Sequence, residues 1–187
     1  MTSKTWNPLR LDVAAFARDG GYFEGSWPAQ ALTRFAQGAP ECPAEEWSPV
    51  QWSVTGEERV VTGGAAQWWL RLQVRAQTQQ TCQRCLSPVA VPLEIDRWTQ
   101  FVRDEAEAAA LDAEQEEDVL VASRNFDCKE WLEDELLLAL PIVPMHERCP
   151  SPVALKDAPP EAALEPPEKH PFAVLAALKR KSGTGSA

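Results

Sequence analysis

Histidine is scarce in this 187-residue chain, with His146 and His170 the only two. No Ser/His/Asp arrangement is visible. Glycine-rich phosphate loops are missing too, since Gly63-Gly64 lacks the Lys-Ser/Thr and helix that would follow. Long hydrophobic runs are absent, and no stretch nears the ~20 apolar residues that span a bilayer. Residues 1–11 lack the apolar core of a signal peptide. Cysteine is present in an odd number, five, which argues against a complete disulfide framework. The simplest expectation is a reduced, cytoplasmic protein. Glu133, Asp134 and Glu135 offer carboxylates, but consecutive helix residues do not share a face, so they do not form a catalytic pair.

Base is short in one segment. Residues 104–118 carry eight acids and no Lys or Arg, which leaves 20 acids against 18 bases elsewhere, a net of −2 out of the chain's −10. That balance disfavours wholesale coating of a phosphate backbone, which needs a basic surface. A local basic patch remains compatible with RNA, and a basic protein is an equally reasonable partner for the acidic run. Residues 104–118 read as an exposed loop or weak helix, because like charges at close spacing repel.

What is present is a bulky apolar content, 44% of residues, with eight Trp and six Phe against a single Tyr. Residues 11–18 have helical spacing and stop at Gly20-Gly21. Residues 22–27 read as extended, and a second helix is expected from Pro28 to Gly38. The period then changes to two. Residues 47–55, 59–62, 69–78 and 89–95 read as strands, with Gly56 and Gly63-Gly64 as turns. Asp127 followed by Glu130 resembles a capping box. It opens the strongest helix, with Trp131, Leu132, Leu136, Leu137 and Leu140 on its apolar face and Glu130, Glu133, Asp134 and Glu135 on its polar side. Pro141 ends that helix. Residues 151–169 are rich in Pro, Ala and Glu and read as a linker. Residues 171–181 read as a short amphipathic helix with Lys179, Arg180 and Lys181 at its end. The expected architecture is α+β: a mostly antiparallel β-sheet with packed helices in residues 1–150, and a flexible C-terminal arm, residues 151–187, of linker, short basic helix and polar tail.

The sharpest motif is Cys82-Gln-Arg-Cys85, between two expected strands. Two residues between cysteines let both sulfurs face one tetrahedral metal from a tight turn. His146 and Cys149 have comparable spacing and follow the proline-bounded segment 141–144, so Cys82, Cys85, His146 and Cys149 form a candidate Zn2+ site. Reduced cysteines that merely shape a turn are the plain alternative. A redox dithiol fits less well, because such motifs usually open a helix after a strand. Cys42 and Cys128 read as packing residues. For RNA or an acidic partner, the candidates are Arg71, Arg75, Arg84 and Arg97, on a hairpin flanked by Trp69 and Trp98, together with Lys179, Arg180 and Lys181. Arginine beside aromatics on a sheet face can stack bases, although a solvated strand face would look the same.

Three segments in order carry a family resemblance: Cys82-Gln-Arg-Cys85; Glu133-Asp-Glu-Leu-Leu-Leu-Ala-Leu-Pro-Ile-Val-Pro-Met-His146 with Cys149; and His170-Pro-Phe-Ala-Val-Leu-Ala-Ala-Leu-Lys-Arg-Lys181. Together they resemble the YceD family, the large ribosomal RNA subunit accumulation proteins. Members often carry a second cysteine cluster where this chain has His146 and Cys149. The resemblance implies a non-enzymatic factor in large-subunit biogenesis that supports synthesis, processing or stability of 23S rRNA. The partners it implies are 23S rRNA or its precursor, a basic large-subunit ribosomal protein, or both, with no membrane and no small-molecule substrate. The competing readings are a zinc- or thiol-dependent RNA-processing enzyme and a zinc-stabilised structural adaptor.

Overall fold

A computed structural model describes residues 5–38, 43–60, 66–113, 115 and 117–150. Along the chain run α1 (Val13–Arg18), β1 (Tyr22–Trp27), α2 (Thr33–Gln37), β2 (Val50–Val60), β3 (Ala66–Thr81), β4 (Pro88–Val102), α3 (Glu105–Asp112), β5 (Asp118–Val121) and α4 (Cys128–Ala139). The strands form one sheet in sequence order, antiparallel from β1 to β4, with β5 parallel to β4. This is the expected α+β architecture. The expected arm, residues 151–187, lies outside the described residues, as does Cys42.

The alternation in β3 sets the two faces of the sheet. Leu70, Leu72 and Val74 are buried, while Arg71, Gln73 and Arg75 point the other way. The buried set joins Val50, Trp52 and Val54 of β2, Leu93 and Phe101 of β4, Val13 and Phe16 of α1, Phe35 of α2, and Trp131, Leu132 and Leu136 of α4. The other face is polar. There Ser53, Gln73 and Asp96 stand opposite one another across three strands and are linked by side-chain hydrogen bonds.

Helix α4 forms as its sequence predicts. Asp127 caps it by accepting from the N–H groups of Lys129 and Glu130. The preceding loop is held by a short bridge in which Leu11 and Phe126 exchange both backbone hydrogen bonds. Its polar side departs from expectation, because Glu133 and Glu135 are buried. Glu133 Oε1 accepts from the Phe35 N–H at 3.0 Å. It thereby caps α2, whose own N-cap residue, Leu32, offers no side-chain acceptor. Glu135 faces Arg97 at 3.5 Å.

One further expectation is corrected. Gly56 is not a turn, since β2 runs straight through it. A Cβ there would lie 2.7 Å from the Phe16 ring and 2.9 Å from the Phe16 carbonyl oxygen, so glycine is required by close approach. The acidic segment takes the second of its two expected forms, a short helix over Glu105–Asp112. Asp104 accepts from the Glu107 N–H, and Glu107 reaches back to the Arg103 N–H, which starts α3. Acids in its first turn suit the positive end of the helix dipole. Strand β5 then begins at Asp118.

Candidate metal centre

The motif Cys82-Gln-Arg-Cys85 lies at the tip of the long β3–β4 hairpin, as expected. The chain reverses there through Leu86, which adopts the left-handed conformation at φ 59°. The Leu86 N–H donates to the Cys82 carbonyl, and the Cys82 N–H to the Ser87 carbonyl, both at 2.9 Å. After α4, residues 141–150 run back to this tip. The Gln83 N–H donates to the carbonyl of the buried Pro144 at 2.9 Å, which fixes where the next residues fall.

The result is a four-residue cluster. One sulfur or ring nitrogen from each of Cys82, Cys85, His146 and Cys149 lies within 4.8 Å of all the others. Cys82 is fully buried, and the other three are partly buried. The His146 N–H donates to Cys82 Sγ at 3.4 Å. His146 Nε2 lies 3.1 Å from the Pro88 carbonyl oxygen. A carbonyl only accepts, so Nε2 carries a proton, and Nδ1 faces Cys85 Sγ at 3.4 Å, where it donates to the sulfurs when the ring is protonated and offers a lone pair once that proton leaves. This is the usual arrangement for an imidazole ligand, with one nitrogen oriented by a carbonyl and the other free to bind.

The electrostatics of the cluster are lopsided. Burial opposes ionisation of Cys82. The N–H groups of His146, Cys85 and Arg84, with the His146 ring, nonetheless hold its thiol down at about 5. The Ser87 N–H lowers the Cys85 thiol. Burial, followed by the hydrogen bonds that its own S–H donates to Cys85 and Cys82, raises that of Cys149. Hydrogen bonding to Cys82 and then to Cys85 raises the His146 imidazole. Three sulfurs this close repel one another as thiolates, so full ionisation needs a cation among them.

The donor set fits zinc. Three sulfurs and one imidazole match a structural site, and tetrahedral sulfur ligands stand about 3.7 Å apart, which asks for only a modest contraction here. Cys82, Cys85, His146 Nδ1 and Cys149 would hold the ion. Four protein donors fill the tetrahedron, so the ion would supply a cross-link between the hairpin tip and residues 146–149 rather than an open catalytic position. Among the described residues there is no disulfide. Cys128 sits apart in the core, where burial and Asp127 push its thiol up to about 12.

The structure does not assemble the arginines of the hairpin into one surface. Arg71 makes two hydrogen bonds of 2.7 Å to Asp96, and Arg75 faces Glu94 at 3.7 Å, both on the polar face. Arg97 points to the opposite face, toward α4, and pairs with Asp118 at 2.7 Å. Arg84 is exposed beside Met145. Trp69 and Trp98 flank Arg59, whose guanidinium carbon is 4.3 Å and 4.5 Å from their rings. Lys179, Arg180 and Lys181 lie outside the described residues. Sequence reasoning missed the Pro88 carbonyl, which no residue-type pattern signals, and Arg59, whose indole partners lie on other strands.

Residues 70–179 match the family described as "Large ribosomal RNA subunit accumulation protein YceD". The chain belongs to the YceD family. The match spans both halves of the candidate metal centre. A relative from Haemophilus influenzae (strain ATCC 51907 / DSM 11121 / KW20 / Rd), named "Large ribosomal RNA subunit accumulation protein YceD", is 30% identical over 179 residues, covering 93% of this chain and 97% of the relative. No solved structure matches. No helix among the described residues is long and apolar enough to cross a membrane.

Proposed function

We propose that this YceD protein is a non-catalytic cytoplasmic factor that supports accumulation of large-subunit ribosomal RNA. Its partners in this reading are 23S rRNA or its precursor, a basic large-subunit ribosomal protein, or both. The observation that carries the reading is the family match, which extends over 93% of the chain in the Haemophilus relative and takes in the hairpin tip, α4 and the returning segment. The site chemistry agrees with a binding role. A Cys3His set closes the coordination sphere. The Cys82 sulfur, though held as thiolate, is buried beneath the returning chain. That burial disfavours thiol catalysis, which needs access.

Cells lacking the chain are expected to show a lowered ratio of 23S to 16S rRNA, restored by the wild-type gene. An unchanged ratio under growth conditions that demand rapid ribosome synthesis would remove this reading.

A further inference from the structure

A second site lies away from the metal centre, in a cleft of about 600 Å3 between α4 and the β4–β5 edge of the sheet. That volume falls within the ~300–1,000 Å3 typical of ligand pockets. Six carboxylates line it: Asp112, Asp118, Asp127, Glu130, Asp134 and Glu135. Among the described residues, only two guanidiniums answer them. Arg97 lies inside the cleft, shared by Asp118 and Glu135, and Arg34 pairs with Asp134. Asp127 is used as the α4 cap. Asp112 and Glu130 make no salt bridge among the described residues. Apolar side chains lie between the charges, with Phe126 and Trp131 within and Leu120 and Leu138 exposed at its edge.

An independent observation points to a ligand. Thr99, on the α4 side of β4, lines the same cleft and is fully buried, yet its Oγ1 has no hydrogen-bond partner among the described residues. Buried hydroxyls are nearly always paired. A donor that enters the cleft and displaces the side chains covering Thr99 would give it its partner.

We infer that this cleft binds a basic segment of a partner protein, with a Lys or Arg side chain among Asp112, Asp118 and Glu130 and a neighbouring apolar side chain against Phe126 and Leu138. Charge decides the class of partner. Clustered carboxylates attract a cation and repel phosphate, so a protein is favoured over RNA. The inference deepens the proposed function by naming one partner class and a place for it.

The test uses the full chain and a fluorescein-labelled peptide alternating Arg or Lys with Leu. An acidic peptide of equal length and a single-stranded oligouridylate serve as the comparisons. Fluorescence anisotropy should show saturable binding of the basic peptide that weakens as salt rises. The double substitution Asp112→Asn with Glu130→Gln should weaken it by about tenfold. Thr99→Val should weaken it by a smaller factor without lowering the melting temperature. Basic-peptide binding that is absent, or unchanged in the double variant, would overturn the inference. So would oligouridylate binding that the double variant abolishes. Because this assay is independent of rRNA levels, its failure alongside a 23S deficit in deleted cells would remove the cleft and leave the proposed function. A positive result alongside a normal 23S ratio would do the reverse.

Discussion

Chelating a metal held by Cys82, Cys85, His146 and Cys149, or substituting Cys82→Ser, is expected to release residues 141–150 from the hairpin tip while the sheet stays folded. The expectation rests on where the core sits. None of the four donor residues belongs to the main hydrophobic cluster, which lies between the sheet and helices α1, α2 and α4. At the tip, the returning chain is held by the Gln83–Pro144 hydrogen bond and by His146 contacts to Cys82, Cys85 and Pro88. Such contacts are individually modest, about 1 kcal/mol each. Structural zinc contributes far more, ~10–16 kcal/mol in small zinc peptides. Hydrogen exchange separates local opening from global unfolding. The amides of Gln83 and His146 should lose protection by about a hundredfold or more, while those of Leu72 and Val74 should change little. Equal loss at all four positions would show that the centre supports the whole fold. No loss anywhere would show that no metal cross-link exists.

The second large effect is expected at Phe16. This ring is fully buried, packs edge-on to Trp6 at 5.1 Å and lies 5.0 Å from Phe23. The backbone closes on it at Gly21 and Gly56, where an added Cβ would meet the ring at 2.2 Å and 2.7 Å. Phe16→Ala should therefore destabilise by about 3–5 kcal/mol, because the glycines cannot collapse into the space. For a chain of this size the melting temperature should fall by roughly 10 °C. Gly56→Ala should cost about 1–3 kcal/mol through overpacking. In the Phe16→Ala background part of that cost should disappear, since the ring is gone, and part should remain, since the Phe16 carbonyl is still 2.9 Å away. Denaturant titration of the four proteins measures this coupling. Strict additivity would show that the two residues do not share one packing unit.

Local signals made much of this legible. The Asp127 cap, the apolar stripe through Trp131, Leu132 and Leu136, and the alternation of β3 are short-range patterns, and each appears as read. The clustering of the four candidate ligands was legible for the same reason, because two short spacings and a proline-bounded return suffice to pair them. What escaped depends on distant partners. Glu133 reads as a surface acid until α2, about a hundred residues earlier, supplies the Phe35 N–H. Gly56 reads as a turn until Phe16 arrives against it. The arginine hairpin reads as one basic surface, but side-chain alternation sends Arg97 to the face opposite Arg71, and each has an acid waiting. Strand β5 escaped because it is four residues long and pairs in parallel with β4, with no turn signal to announce it.

Sucrose-gradient fractionation of cells lacking the chain, complemented with a tagged wild-type copy, tests the central claim most directly. The account predicts a deficit of large subunits in the deleted cells, recovery on complementation, and tagged protein in fractions that hold large-subunit precursors. A normal subunit ratio, with the tagged protein confined to the soluble top of the gradient, would contradict it.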